Sequence, residues 1–145
     1  MVDPDAVEAR LIKKGVAKLK KLLWADFTLW VKLSGSDDGI TVPCYTCDAT
    51  LQIGTPNCQG GHWLPKSANS IYYFDERNVK SQCWNCNLNL SGNSEEFRLR
   101  LIKEYGEDVI QEMSDTRMML EKRSRGWYVD KIIYYRAEIE DMQAQ

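Results

Sequence analysis

The sequence predicts an α+β domain in which helices at both ends flank a central segment of short strands and loops. Three observations support this fold class. Apolar residues recur at helical spacing in the first 33 residues, short apolar pieces separated by glycine and proline occupy the middle, and helical spacing returns after Cys83. A chain of 145 residues, 43% hydrophobic and 28% charged, is expected to form one domain spanning residues 1–145.

The first expected element is a leading helix over residues 1–33. Asp3 followed by Pro4 is typical of a capped helix start, and a bend is expected near Gly15. The face opposite the apolar positions is rich in lysine, and it is either an ordinary solvated face or a phosphate-contacting stripe. The candidate phosphate contacts on that face are Lys18, Lys20 and Lys21.

The second expected element is a strand-and-loop core over residues 40–92. Turn-forming residues at 34–39 end the leading helix, and the apolar pieces at 51–53 and 71–74 are short enough for strands. Residues 93–145 are expected to form the C-terminal helices. Asn93 with Glu96 predicts a capping box, and Gly106 is a suitable helix stop.

The net charge and the N-terminal residues bear on how the protein could bind nucleic acid and on whether it enters a membrane. The formal net charge of −2 argues against binding through an overall basic field, so any nucleic-acid contact must use local clusters. The first residues alternate apolar side chains with lysines and lack the unbroken apolar run of a signal peptide or a membrane span. We therefore expect a soluble, cytoplasmic protein with no membrane partner.

Four of the five cysteines form two CxxC pairs, Cys44 with Cys47 and Cys83 with Cys86. In a chain without a secretion signal this spacing favours metal binding over disulfides, and two such pairs complete a tetrahedral four-cysteine zinc site. We predict a structural Zn²⁺ that ties the start of the core to its end. A closed four-thiolate site performs no chemistry itself.

The fifth cysteine, Cys58, lies four residues before His62. It could form a nucleophilic Cys-His pair, or the two residues could contribute to the zinc site. We favour a buried small thiol, because the two CxxC pairs already fill a zinc coordination sphere.

His62 is the only histidine, and it lies between the two cysteine pairs after a pair of glycines. Histidine is the side chain best suited to activate water for phosphodiester hydrolysis. Asn78 follows before the second pair. Asn87 stands directly after Cys86, so whatever fixes that cysteine also fixes an amide oxygen able to bind a hard cation.

The segment GGHWLPKSANSIYYFDERNVKSQCWNCNLNLSGN resembles the signature GHY...FNE.N...QC..CN..SGN of the lambdoid phage NinG/Rap recombination family. The similarity extends to Tyr105 through Ile110 and to the helix before Cys44. The CxxCN element is also similar to that of phage endonuclease VII.

This resemblance implies a ββα-metal (HNH, or His-Me finger) core and an endonuclease that cuts branched recombination DNA such as Holliday junctions and D-loops. It implies that His62 is the general base, that Asn78 orients it or braces the loop, and that Asn87 holds a catalytic Mg²⁺ or Mn²⁺. A symmetric junction substrate favours a homodimer. Trp63 and Lys66, beside the histidine, are further candidates for DNA contact.

The second protein ligand of that cation is left open by the sequence. Many HNH enzymes have an acidic residue directly before the histidine, where this chain has Gly61. Asp75 and Glu76 are the nearest carboxylates on the C-terminal side. Two rival functions also remain: a non-catalytic zinc module that binds DNA or a recombination partner, and an HNH nuclease for linear or nicked duplex.

Overall fold

Helices and two small sheets make up the structure, a computed structural model that describes residues 3–64, 67 and 69–145. The α-helices of these residues are α1 (Pro4–Leu11), α2 (Val16–Ser34), α3 (Ser94–Tyr105), α4 (Glu107–Asp115) and α5 (Arg125–Gln143). The strands are β1 (Thr41–Pro43), β2 (Thr50–Gln52), β3 (Gln59–His62) and β4 (Val79–Gln82), and a π-helical turn covers Asn85–Asn89. The predicted α+β class is confirmed. In the described residues, no helical segment combines the length and hydrophobicity that a bilayer span requires.

The leading helix is divided in two. Asp3 caps α1, its side chain accepting a hydrogen bond from the N–H of Asp5 at 3.1 Å, and α1 ends at Leu11. Gly15 has extended backbone angles, φ −72° and ψ 160°, and is the N-cap of α2. The expected bend in one helix is therefore wrong: the chain leaves the helical conformation and starts a second helix, because glycine favours a cap over a helix interior.

The main core lies between α2 and α5. Three apolar side chains of α2 are completely buried: Leu19, Leu23 and Phe27. The ring of Phe27 meets that of Tyr135 edge-on, with centroids 5.2 Å apart. At the side of the pair, Arg136 Nε lies 2.9 Å from Asp26 Oδ2. Because each fully buried large side chain contributes about 2 kcal/mol, this packing holds α2 firmly against the rest of the fold.

Two antiparallel hairpins, β1–β2 and β3–β4, bring the cysteine pairs together. Cys44 follows directly on β1, and Cys83 follows directly on β4. The N–H of Tyr45 donates to the carbonyl oxygen of Ser81 at 2.8 Å, which joins the two hairpins where the cysteines begin.

The remaining helices surround a second apolar cluster, which includes Phe97, Leu101, Ile110 and Met113. Gly106, with φ 98°, ends α3 as predicted. Asn93 is in the left-handed conformation and makes no side-chain capping bond to α3; its Nδ2 lies 3.8 Å from Cys86 Sγ. Glu96 pairs instead with Arg100 at 2.8 Å. The predicted capping box is wrong, because both side chains bond elsewhere.

Candidate functional site

The four cysteines of the two CxxC pairs form one cluster. The Sγ atoms of Cys44, Cys47, Cys83 and Cys86 all lie within 4.8 Å of one another, and those of Cys47 and Cys83 are 3.8 Å apart. A tetrahedral site with Zn–S bonds of about 2.3 Å has sulfur–sulfur edges of about 3.8 Å. The cluster therefore has the dimensions of a site for a metal ion such as zinc.

Backbone donors point at the sulfur atoms. The N–H of Cys83 lies 3.3 Å from Cys44 Sγ, and the N–H of Cys86 lies 3.3 Å from Cys83 Sγ. Burial alone would raise the pKa of the Cys44 thiol, but hydrogen bonds from Cys83 and Thr46 outweigh it and lower that pKa to about 6. A thiol that ionises this readily is suited to bind a metal cation.

Cys58 lies outside this cluster. It is buried in the apolar group that contains Val42 and Leu51. Burial raises the pKa of its thiol, so the side chain is held in the neutral form. A neutral thiol in apolar surroundings packs as a small hydrophobic side chain.

His62 is the last residue of β3, and its imidazole contacts two aromatic rings. It stacks on the indole of Trp24 of α2, and the ring of Tyr73 lies 4.7 Å away at 48°. Its Nε2 atom is 3.0 Å from the carbonyl oxygen of Tyr73. Because a carbonyl oxygen can only accept, Nε2 carries a ring proton.

Asn78 is completely buried and spans the loop between β3 and β4. Its Oδ1 accepts from the N–H of Leu64 at 2.8 Å, and its Nδ2 donates to the carbonyl oxygen of Tyr72 at 3.0 Å. Tyr72 directly precedes Tyr73, whose carbonyl accepts from His62. Asn78 therefore braces the loop segment that orients the histidine.

Asn87 lies in the π-helical turn and meets β3 on the face opposite His62. Side chains alternate along a strand, so Gly61 and His62 face opposite sides. A Cβ added to Gly61 would lie 3.1 Å from Asn87 Oδ1, whereas the imidazole stacks on Trp24. The Nδ2 of Asn87 donates to Gln59 Oε1 at 2.9 Å. Histidine and asparagine thus flank the strand from its two sides.

Asp75 is bonded to Arg77. Both carboxylate oxygens of Asp75 accept hydrogen bonds from the guanidinium, the shorter one at 2.7 Å. Glu76 accepts from the hydroxyl of Tyr135 at 3.2 Å. Both carboxylates therefore have partners of their own in the described part of the chain, and a role of either one as a metal ligand stays a prediction.

The three lysines selected on the leading helix differ in environment. Lys18 and Lys21 are exposed on α2, and Lys20 is half-buried. Lys20 Nζ lies 4.8 Å from the centroid of the Tyr73 ring. Burial, and secondarily the charge of Arg123, lowers the pKa of Lys20. Lys20 is therefore the lysine of this group that lies nearest to the histidine's surroundings, through Tyr73.

A surface cavity of about 470 Å³ opens beside His62. Trp63 lines it, together with Arg98 and Arg117 and the hydroxyl side chains of serines 91, 94 and 114. The guanidinium of Arg98 is paired with the carboxylate of Glu95 at 2.7 Å, whereas Arg117 donates to the carbonyl oxygen of Ser114 at 2.8 Å. Lys66, also predicted to contact nucleic acid, lies outside the described residues.

A larger groove of about 1090 Å³ is lined mainly by residues of α2, α3 and the two hairpins. Its lining includes neither His62 nor either of the asparagines above. Lys80, Arg100 and Glu104 give it a wall of mixed charge. We therefore centre the candidate site on the smaller cavity, whose lining includes His62.

The sequence profile of the family described as Bacteriophage Lambda NinG protein matches residues 10–144. The chain belongs to the NinG family. Among its relatives, Protein ninG of Escherichia phage lambda is 25% identical over 130 residues, which cover 85% of this chain and 60% of the relative. Protein ninG of Salmonella phage P22 is 26% identical with the same coverage, and that of Escherichia phage 933W is 27% identical over 107 residues, 69% of this chain and 52% of the relative.

The match to these NinG proteins is partial on their side, since this chain spans little more than half of the length of each. No solved structure matches the chain. The family resemblance predicted from the sequence signature is confirmed.

The sequence did not predict that three residues of this NinG-family chain, Trp24, Gln82 and Arg117, would lie at the candidate site. The contact of Trp24 with His62 joins two elements that are distant in sequence, and no local pattern signals it. Gln82 is completely buried beside Gly61, and the only sequence signal was its place directly before Cys83. Arg117 reaches the cavity from beyond the end of α4.

Proposed function

We propose that this chain is a metal-dependent, structure-specific DNA endonuclease that cuts branched recombination intermediates such as Holliday junctions and D-loops. The observation that carries the proposal is the fixed orientation of the only histidine, which stacks on Trp24 and whose Nε2 donates to the carbonyl oxygen of Tyr73. An imidazole held in this way can take a proton from an attacking water. The cavity beside this residue is also lined by Arg117, and a guanidinium group suits a phosphate.

In this proposal, β3, β4 and the turn Asn85–Asn89 form a ββα-metal core of the HNH kind. The order is that of the motif, a hairpin followed by a helical turn. Cys86 is one of the clustered thiols and Asn87 is the next residue, so the cluster also anchors the asparagine. In the hairpin, Val79 of β4 pairs with His62 of β3. Asn78 directly precedes Val79, and its side chain bonds the loop that joins the two strands.

The proposed structural ion is Zn²⁺, held by the four clustered cysteines. Their sulfur spacing fits a tetrahedral Zn–S₄ site. Four thiolates leave no open position for substrate. The zinc therefore supports the site mechanically, by joining the end of β1 to the turn that follows β4.

The proposed catalytic cation is Mg²⁺ or Mn²⁺, with Asn87 as a ligand. An amide oxygen is the kind of neutral hard donor that these ions accept, and Asn87 Oδ1 is directed toward Gly61. When bound, the cation would supply positive charge to the phosphate under attack. The chain's own contributions are proton transfer to His62, phosphate binding by Arg117, and bracing by Asn78.

DNA is the proposed partner, bound in the bacterial cytoplasm by a homodimer. Arg98 and Arg117 lie at the cavity, and exposed Lys18 and Lys21 on α2 extend the cationic surface. Such contacts bind the backbone and do not read sequence, which suits an enzyme that selects DNA by shape. A four-way junction has near two-fold symmetry, and a two-fold dimer matches it.

The test is cleavage of labelled DNA by the zinc-loaded chain in Mg²⁺ or Mn²⁺. The substrates are a four-way junction, a D-loop and a linear duplex of the same sequence. His62→Ala is compared with the wild type, with zinc content and circular dichroism measured on both. We expect branched DNA to be cut, linear duplex to be spared, and His62→Ala to be inactive but folded.

Other outcomes separate the rival functions. Equal cutting of linear duplex would make the chain a general HNH nuclease. Binding of branched DNA without cleavage in either cation would favour a non-catalytic zinc module. Full activity of His62→Ala would remove the histidine from the mechanism.

A further inference from the structure

The side-chain oxygen of Gln82 is buried without a donor. Gln82 is 0% exposed, and its Oε1 accepts no hydrogen bond from any residue that the structure describes. An unpaired buried carbonyl oxygen costs about 1–3 kcal/mol. Such atoms are rare in native proteins and frequently mark the place of an ion or a water molecule.

The orientation of this amide is fixed by a neighbour that can only accept. Gln82 Nε2 donates to the carbonyl oxygen of Gly92 at 2.9 Å and to Thr46 Oγ1 at 3.0 Å. Exchanging the nitrogen and oxygen would bring two carbonyl oxygens together, so the amide cannot be reversed. Oε1 is therefore the atom directed toward Gly61.

The same reasoning fixes Asn87. Gln59 Nε2 donates to the carbonyl oxygen of Pro56 at 3.0 Å, which leaves Gln59 Oε1 as an acceptor. Gln59 Oε1 accepts a hydrogen bond from Asn87 Nδ2 at 2.9 Å. The oxygen of Asn87 is therefore also the atom directed toward Gly61.

Both oxygens meet where a side chain at Gly61 would begin. A Cβ built on Gly61 would overlap Gln82 Oε1 and would lie 3.1 Å from Asn87 Oδ1. Gln82 pairs in register with Gln59, which shares a strand face with Gly61, so the three residues belong to one face of the hairpin. Glycine at this position leaves room for two convergent amide oxygens.

We propose that Gln82 Oε1 is the second protein ligand, beside Asn87 Oδ1, of the divalent cation; this inference rests on the proposed function. In β3 the residue directly before His62 is Gly61, which has no acidic side chain. Gln82 of the neighbouring strand β4 places its Oε1 beside Gly61 instead. Because both ligands are neutral, the chain binds the cation weakly by itself. Phosphate oxygens of the DNA then complete the coordination, as is common for Mg²⁺.

The test measures Mn²⁺ binding directly, without DNA and without turnover. The zinc-loaded chain of 145 residues is titrated with Mn²⁺, and free Mn²⁺ is read by electron paramagnetic resonance. We expect Gln82→Ala and Asn87→Ala each to weaken binding about tenfold or more. The control is Gln111→Ala, an exposed glutamine of α4 whose side chain donates to Asp115, and it should bind as the wild type does.

A rescue variant separates ligation from packing. Gln82→Ala removes the oxygen that blocks a side chain at position 61, so Gly61→Asp becomes sterically possible in that background. The double variant should regain Mn²⁺ affinity, whereas a merely structural role for Gln82 predicts no recovery. Failure of the rescue in a folded double variant that keeps its zinc would count against ligation.

A second measurement covers the case in which Gln82→Ala does not fold. Wild-type chain labelled with ¹³C at the glutamine side-chain carbonyl is examined with bound Mn²⁺ by electron-nuclear double resonance. A Mn–¹³C coupling is expected, and its absence would overturn the assignment of Gln82. This outcome is distinct from failure of the proposed function, which is decided by DNA cleavage and by His62→Ala.

Discussion

The indole of Trp24 lies parallel to the imidazole of His62, with 9° between the ring planes and 4.7 Å between centroids. Such aromatic contact contributes about 0.5–1.5 kcal/mol beyond the area it buries. It also restricts rotation of the imidazole, whose Nε2 then remains directed at the Tyr73 carbonyl. Trp24 is thus a positioning residue for the histidine, carried on a helix that is itself held by α5.

Trp24→Leu should remove the indole while retaining an apolar side chain at that position. Because His62 is the only histidine, its ring protons are identified without ambiguity in a proton NMR spectrum. We expect both to move downfield once the shielding of the stacked indole is lost. The control is Trp84→Leu, since Trp84 is 51% exposed, and unchanged shifts in Trp24→Leu would mean that the rings do not stack in solution.

Asn78→Ala should destabilise the fold strongly. It leaves the Leu64 N–H and the Tyr72 carbonyl without their partner in a buried site, which we expect to lower the free energy of unfolding by about 3 kcal/mol. Urea denaturation measures the change. Asn89→Ala is the control, because Asn89 is exposed and its side chain donates to Asn85; a change there as large as that of Asn78→Ala would contradict the bracing role.

Replacing a clustered cysteine should release the metal, whereas replacing Cys58 should not. We expect one zinc per wild-type chain, a large loss of zinc in Cys47→Ser, and full zinc content in Cys58→Ser, because Cys58 lies outside the four-thiol group. Zinc released on thiol modification is measured with a colorimetric chelator. Removing the ion should also melt the fold, since a structural zinc contributes on the order of 10 kcal/mol. Equal zinc loss in both variants would place Cys58 among the ligands.

Gly61→Ala should lower stability by about 1–3 kcal/mol, because the new methyl group overlaps Gln82 Oε1 and overpacking has this cost. Gly126→Ala, in the first turn of α5, adds a methyl group 3.8 Å from Ser124 Oγ and should be neutral or stabilising. Thermal melting of the two variants gives the comparison. A Gly61→Ala protein as stable as the wild type would show that the Gln82 side chain can move aside at no cost.

Local spacing was enough to predict the cysteine cluster. Two CxxC pairs determine which thiols meet, because each pair presents both of its sulfurs at a single turn. Helix ends set by one residue were also predictable, as at Asp3 and Gly106. The separate start of α2 was not, because an isolated glycine in a helical pattern is compatible with either a bend or a break.

Contacts between distant segments could not be obtained in this way. The contact of Trp24 with His62 depends on how α2 packs against β3, which the local sequence around either residue does not define. Asn93 fits a capping box by sequence, yet in the folded chain its side chain lies against Cys86 Sγ. The buried oxygen of Gln82 follows from a hydrogen bond to Gly92, a relationship that only the three-dimensional arrangement defines.

The segment from Gln82 to Asn87 alternates between buried positions and positions that face solvent. Trp84 and Asn85 are exposed, while Cys83 and Cys86 are buried in the cluster. Within the NinG family, evolutionary drift should therefore concentrate at the two exposed positions, which face solvent. A relative in which Asn87 is replaced would be expected to differ around Gly61 as well, because a side chain at position 61 would contact the side chain at position 87.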